Sequence, residues 1–365
     1  MKVLMTMPEF IKKRKLVQYS FAVISFIFIV TSCSEKKEIQ SPLFESLNSK
    51  QTGIDFNNQM KPTPEFNLFS YMYYYNGAGV GAGDFNNDGL IDLFFTANQG
   101  GNKLFLNKGK LKFTDVTTFA RIPQDSGWNT GVSVIDINND GLLDIYISRV
   151  GHYKTLNSRN QLLICKGVNG QGIPFYTDEA KNYGLDFSGF STQAAFLDYD
   201  GDGDLDMFLL NHSVNHDGNY APRNYFLNTY DSLAGQRLYR NETTNTTGGK
   251  KTTRFTDVTK QAGINGSRIG YGLGVAVADI NLDGWPDMYV GNDFHENDYL
   301  YINQRNGTFA EEGNSALMHT SQFSMGVDVA DVNNDAYPEI ISMDMLPYEP
   351  YMLRRSLAED DYNIF

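Results

Sequence analysis

The sequence predicts an all-β protein assembled from a repeated four-stranded unit, and three observations predict it. A nine-residue acidic loop recurs five times. Each loop is flanked by short alternating apolar segments of strand length. The 365 residues include 34 glycines, 25 phenylalanines and 22 tyrosines, which suits many short strands joined by tight turns. So much glycine suits a helical bundle poorly, because glycine is costly inside helices. Hydrophobic residues make up 41% of the chain, enough for a sizeable core in one large or two smaller domains.

The loops are Asp84–Asp92 (DFNNDGLID), Asp136–Asp144 (DINNDGLLD), Asp198–Asp206 (DYDGDGDLD), Asp279–Asp287 (DINLDGWPD) and Asp331–Glu339 (DVNNDAYPE). Their consensus is D-x-[DN]-x-D-G-x-x-[DE], from which only the fifth departs, at position six, and they start 52, 62, 81 and 52 residues apart. Self-similarity at such periods marks solenoids, propellers or arrays. GVGAGDF, TGVSVID, TQAAFLD, GVAVAD and MGVDVAD lead into the loops; LFFTAN, IYISRV, MFLLNH, MYVGND and IISMD follow them. The first four units continue with KLFLNKGKLKFTDVT, QLLICKGVNGQGIPFYTDEA, RLYRNETTNTTGGKKTTRFTDVT and YLYINQRNGTFAEE, which read as strand, polar turn, strand. Strand, acidic loop, strand, strand, turn, strand is the blade of a β-propeller.

Carboxylates at alternate positions of one tight turn repel one another unless a cation joins them. Calcium takes six to eight oxygens in a flexible arrangement. Candidate ligands are the side chains at positions one, three, five and nine and the backbone carbonyl at position seven. These are Asp84, Asn86, Asp88, Leu90 and Asp92; Asp136, Asn138, Asp140, Leu142 and Asp144; Asp198, Asp200, Asp202, Asp204 and Asp206; Asp279, Asn281, Asp283, Trp285 and Asp287; and Asp331, Asn333, Asp335, Tyr337 and Glu339. An EF-hand would need a bidentate Glu at position twelve between helices. Phe95, Ile147, Leu209, Val290 and Ser342 stand there, in β-rich surroundings. A metal-free Asn/Asp turn is the competing reading of any single loop. Five loops in register with their strands favour calcium.

The loops are unequal. The third offers four carboxylates, Asp198, Asp200, Asp202 and Asp206, and is expected to be among the tightest sites. The fifth has Ala336 where the others have glycine. A left-handed alanine costs about 1 kcal/mol, so this loop is expected to bind most weakly. Sixteen of the 43 acidic side chains are candidate ligands through their carboxylates, and five calcium ions would bring the net charge from −13 to −3. An acidic chain argues against a nucleic-acid partner, which requires a basic face.

The N-terminus reads as a secretory signal: a basic stretch from Lys12 to Lys15, an apolar run over 16–30, then small residues. That run is short for a membrane-spanning helix. Val30-Thr31-Ser32-Cys33 resembles a bacterial lipobox, which implies cleavage before Cys33 and lipid on it. Residues 34–42 read as a flexible tether, and their charges resemble the export signal of Bacteroidetes surface lipoproteins. With Cys33 lipidated, Cys165 is left as a small buried hydrophobe.

The repeats resemble the FG-GAP/VCBS repeats of integrin α-subunit propellers and bacterial surface proteins. YYYNGAGVGAGDFNNDGLIDLFFTAN and FSMGVDVADVNNDAYPEIISMDMLP look like Bacteroidetes lipoproteins that combine such repeats with an ASPIC/UnbV region. The resemblance covers roughly residues 43–350 and implies a seven-bladed propeller, of which five repeats are visible. Residues 43–365 are thus expected to form a propeller incomplete at its C-terminal side, with a closed five-bladed ring as the alternative. Residues 43–76 are candidates for strands completing a last blade, and an unpaired edge is expected to promote association.

Other constellations weigh less. His212 and His216 follow a strand with no Glu between them, which suits a blade-edge loop better than a zinc site. Trp128, Trp285 and Tyr71, Tyr73, Tyr74 and Tyr75 are read as inter-blade packing before a sugar platform. No G-x-S-x-G, P-loop or Cys-His arrangement occurs. The favoured expectation is a non-enzymatic, calcium-binding lipoprotein of the bacterial outer membrane, acting as a platform for a glycan or protein ligand. A polysaccharide-active, lyase-like enzyme and a purely structural module are the alternatives.

Overall fold

A computed structural model describes residues 43–214, 223–226, 228–245, 251–294, 296–345 and 347–352. Residues 43–47 belong to one compact unit, and Asn48–Phe365 to another that holds everything described below. Cys33, the tether and His216 lie outside the described residues.

The strands fall into five successive antiparallel sheets, in the order the repeats predict, and one separate two-stranded hairpin. Unit 1 holds β1 (Val80–Gly83), β2 (Asp92–Phe95), β3 (Lys103–Asn107) and β4 (Phe113–Asp115). Unit 2 holds β5 (Trp128–Ile135), β6 (Asp144–Tyr153), β7 (Leu156–Asn157), β8 (Gln161–Val168) and β9 (Pro174–Asp178), with β7 a short addition to β6. Unit 3 holds β10 (Ser191–Leu197), β11 (Asp206–Asn211), β12 (Arg237–Asn241) and β15 (Phe255–Asp257), interrupted by the hairpin β13 (Thr244–Asn245) and β14 (Lys251–Thr252). Unit 4 holds β16 (Gly272–Ala278), β17 (Asp287–Asn292), β18 (Tyr299–Asn303) and β19 (Phe309–Glu311). Unit 5 shows β20 (Ser324–Ala330) and β21 (Glu339–Asp344).

The register repeats with the sequence. The residue before each loop pairs with the loop's ninth residue: Gly83 with Asp92, Ile135 with Asp144, Leu197 with Asp206, Ala278 with Asp287 and Ala330 with Glu339. Every acidic loop is therefore the same hairpin connection between first and second strands. Apolar side chains from consecutive units interlock. Phe94 and Leu104 meet Ile145 and Ile147; Tyr146 and Leu162 meet Met207 and Leu209; Phe208 and Leu238 meet Met288 and Val290. Each such side chain contributes roughly 1.5–3 kcal/mol on burial.

First strands of neighbouring units approach closely, and this explains the glycines in their sequences. A Cβ on Gly131 would lie 2.5 Å from the Thr192 carbonyl oxygen, and one on Gly274 would lie 2.9 Å from the Val327 nitrogen. Hydroxyls stitch the same seam. Thr130 Oγ1 donates to the Ser191 carbonyl at 2.9 Å, and Thr192 Oγ1 to the Gly272 carbonyl at 3.0 Å.

Residues 43–76 do not supply strands. The segment holds a four-residue helix, Ser49–Thr52, and a 3-10 turn, Met72–Tyr75. Residues 56–74 of it lay side chains over the ends of the second strands, away from the acidic loops. Phe56 stacks on Phe95 at 5.0 Å between centroids. Tyr71 and Tyr73 reach His212 and Asp293 at 3.0 and 3.1 Å. Phe66, Tyr71, Tyr74 and Trp128 pack together and are buried. Aromatic burial, not strand pairing, is what this segment gains. Trp128 and three of the tyrosines are thereby packing residues, while Tyr75 is exposed. His212 directly follows β11 at the edge of its sheet and is buried under this cap, which pushes the imidazole down to about 3.

Strand β21 has no partner on its other side among the described residues, and Ile341 and Met343 on it are exposed. The chain is expected to self-associate through this edge. Sedimentation across a hundredfold concentration range should show rising mass, and Met343→Lys should suppress it. A concentration-independent monomer would refute the expectation.

Candidate calcium loops

The five loops share one backbone scaffold built by their own carboxylates. The first Asp accepts from the N–H groups of positions five and six: Asp84 from Asp88 and Gly89, Asp136 from Asp140 and Gly141, Asp198 from Asp202 and Gly203, Asp279 from Asp283 and Gly284, and Asp331 from Asp335 and Ala336, all at 2.7–3.1 Å. Position five accepts from the N–H of position seven, so Leu90, Leu142, Asp204, Trp285 and Tyr337 are held by Asp88, Asp140, Asp202, Asp283 and Asp335. These are Asx-type turns.

Position nine ties the loop to the sheet. Asp92, Asp144, Asp206 and Asp287 are fully buried. One oxygen of each accepts from position two, namely Phe85, Ile137, Tyr199 and Ile280, at 3.0–3.2 Å. The other accepts from the third strand, from Asn107, Cys165, Asn241 and Asn303, at 2.7–2.9 Å. Burial pushes the carboxyls of Asp92, Asp144 and Asp206 up to about 6, 7 and 7, and that of Asp287 upward, against the pull of these N–H groups. Glu339 has no third-strand contact among the described residues. It takes the Val332 N–H at 2.9 Å and the Asn333 amide at 2.6 Å.

Two features were missed in the sequence although their signals were present. The third strands of units 1, 3 and 4 end in asparagines whose side chains donate to the carbonyl at position eight: Asn107 to Ile91, Asn241 to Leu205 and Asn303 to Pro286. In unit 2 Cys165 takes that place, buried as expected. Position four is also left-handed, with φ of 57° at Asn87, 55° at Asn139, 75° at Gly201, 59° at Leu282 and 61° at Asn334. Asparagine and glycine tolerate this, whereas leucine does not. Ala336 sits at φ 71°, as anticipated. Leu282→Asn and Ala336→Gly should each stabilise the chain by about 0.5–1 kcal/mol. Urea denaturation would check this; a loss of stability in both would remove the strain argument.

The third loop stands apart. Carboxylate oxygens of Asp198, Asp200 and Asp206 lie within 4.8 Å of one another, the one such three-residue group among the described residues. Asp200 Oδ1 is buried and meets no hydrogen-bond donor within bonding geometry among the described residues. Burial and the neighbouring Asp202 push that carboxyl upward. An oxygen-only donor set with an orphaned carboxylate oxygen fits a hard cation such as calcium. Asp202 lies outside the group. In the first and fourth loops the position-three amide donates to position five, Asn86 to Asp88 and Asn281 to Asp283, both at 3.0 Å. Arg305 also pairs with Asp283 at 2.8 Å and competes there with any cation. The Trp285 ring packs on the third loop, 2.9 Å from where a Gly201 Cβ would stand.

With this geometry in place, comparison with known proteins is informative. The model of the FG-GAP-like repeat matches residues 84–147 and 279–342, spanning four of the five loops. The chain carries FG-GAP-like repeats. Cartilage acidic protein 1 of Xenopus tropicalis is 29% identical over 139 residues, covering 37% of this chain and 21% of that protein. Human integrin alpha-7 is 36% identical over 90 residues, covering 21% of this chain and 8% of the integrin. The chain thus spans about a fifth or less of the length of these relatives. Among solved structures, the Vibrio cholerae biofilm matrix protein Bap1 aligns over 73% of this chain and 34% of its own, at 15% identity and TM-score 0.34. The most acidic loop, Asp198–Asp206, lies outside both FG-GAP-like matches.

Proposed function

We propose that this chain is a calcium-stabilised FG-GAP-like platform that presents a binding surface to a glycan or protein and performs no catalysis itself. The observation that carries it is the orphaned Asp200 Oδ1 among the carboxylates of Asp198 and Asp206. A metal-dependent scaffold of packed blades holds the opposite, aromatic-capped face rigid, as recognition requires. A cavity of about 450 Å³ opens there, lined by Tyr71, Tyr73, Trp128, Thr192 and His212 among others. The anchor belongs to the same reading: lipid on Cys33, following Val30-Thr31-Ser32, would hold the platform at a bacterial outer membrane.

Two assays test the proposal. A glycan and protein array, run beside a polysaccharide-degradation assay, should give calcium-dependent binding without product. Chain cleavage of a polysaccharide would replace the platform with a lyase-like enzyme. For the anchor, cells fed a fatty-acid analogue should label the protein, and Cys33→Ala should abolish the label; unchanged labelling would defeat it.

A further inference from the structure

Units 1 and 3 close the outer part of their sheets with the same ion pair. The fourth residue of the second strand, Phe95 or Leu209, pairs with the first of the third strand, Lys103 or Arg237. That cation meets the last residue of the fourth strand. Lys103 Nζ lies 2.7 Å from Asp115, and Arg237 Nη1 lies 2.8 Å from Asp257. In unit 4, Tyr299 takes the place and its hydroxyl accepts from Asn265 at 2.7 Å. In unit 2 the register is the same, with Ile147 opposite Gln161, and the fourth strand again ends in an aspartate, Asp178. The cation, however, is missing.

Gln161 is 6% exposed, and its Oε1 has no hydrogen-bond partner among the described residues. Asp178 Oδ1 accepts from the Leu162 and Ala180 N–H groups at 3.3 and 3.1 Å, and Asp178 has no ion-pair partner among the described residues. Both residues line a cavity of about 860 Å³. Two cations in its wall are paired elsewhere, Arg149 Nη1 with Asp125 at 2.8 Å and Arg159 with Asp186 at 3.2 Å, although the buried Arg149 Nε has no hydrogen-bond partner among the described residues. Lys181, exposed beside Asp178, is the one that would resist a second positive charge.

We infer that this cavity receives a lysine or arginine side chain from a partner protein, seated where Lys103 and Arg237 sit in the neighbouring units. A guanidinium or ammonium offers donors to both waiting acceptors, Gln161 Oε1 and the Asp178 carboxylate. The chain's net charge of −13 favours encounter with a basic segment. The inference rests on the reading of the chain as an interaction platform and narrows its ligand to a basic protein segment.

The probe is the peptide acetyl-Gly-Arg-Gly-amide, compared with its uncharged citrulline counterpart, titrated into the full chain and followed by NMR. The arginine peptide should bind saturably and the citrulline peptide at least tenfold more weakly. Asp178→Asn and Gln161→Arg should each weaken binding at least tenfold, the latter because it supplies the cation from within. Gln161→Arg should keep or raise the melting temperature, so its loss of binding is not a loss of fold. Lys181→Met should tighten binding severalfold. Equal affinity for the two peptides, affinity unchanged in both variants, or uptake of a neutral oligosaccharide in place of the arginine peptide would overturn the proposal. The titrations are run with calcium and with chelator. A melting temperature insensitive to chelator refutes the calcium platform, while the contrast between arginine and citrulline stands or falls separately.

Discussion

Chelation of calcium is expected to lower the melting temperature of this chain by on the order of 10 °C. A ligand that binds only the folded state stabilises it by about 2.7 kcal/mol per site at a hundredfold excess over Kd. Two or three occupied loops would therefore rival the whole margin of about 5–15 kcal/mol on which folded domains survive. The third loop should carry the largest share. Its three gathered carboxylates repel one another until an ion joins them, and Asp200 Oδ1 is a buried oxygen without a hydrogen-bond partner among the described residues. Asp200→Ala should thus cost about 2–3 kcal/mol in calcium and almost nothing in chelator. Asp335→Ala should cost less in calcium, because the fifth loop holds Ala336, a non-glycine residue, at φ 71°. Magnesium should restore little, being smaller and demanding near-octahedral geometry. Calorimetric scans in calcium, magnesium and chelator make the comparison. Identical scans in all three would remove calcium from every loop.

Asp206→Ala should behave differently, costing about 2–4 kcal/mol whether or not calcium is present. Asp206 is fully buried and accepts from Tyr199 N–H at 3.2 Å and Asn241 N–H at 2.8 Å. Its removal strands two buried donors, each at roughly 1–3 kcal/mol. Relief of the burial that pushes its carboxyl up to about 7 offsets part of that cost, which keeps the expected loss below the simple sum. Asp200 and Asp206 are thereby separable: one waits for the ion, the other first builds the hairpin. Urea denaturation of both variants in chelator is the decisive measurement. If Asp206→Ala matched the parent there, position nine would be a ligand alone and the scaffold argument would fail. Glu339→Ala is the control, since Glu339 is only partly buried and accepts no third-strand N–H among the described residues.

The repeat fixed most of the architecture in advance, because its information is local and periodic. D-x-[DN]-x-D-G between alternating apolar runs specifies a hairpin at Asp84–Asp92 as surely as at Asp279–Asp287, and the structure pairs Gly83 with Asp92 as it pairs Ala278 with Asp287. Ala336 in a left-handed conformation was likewise legible, since the hairpin demands that turn whatever residue occupies it. What the sequence could not decide are relations between distant segments. Nothing in Phe56 or Phe66 announces that they pack on Phe95 and Trp128 instead of entering a sheet. His212 looks like a loop residue until Tyr71 and Thr192 close on it at 3.0 and 3.1 Å. Equal patterns also hid unequal sites. Asp200 and Asp283 are both loop aspartates, but Arg305 neutralises Asp283 while Asp200 is left with a buried oxygen unmet. A backbone hairpin follows from nearest neighbours along the chain. The company a charge keeps is set by side chains brought from tens or hundreds of residues away, and only the folded packing of one unit against the next decides it.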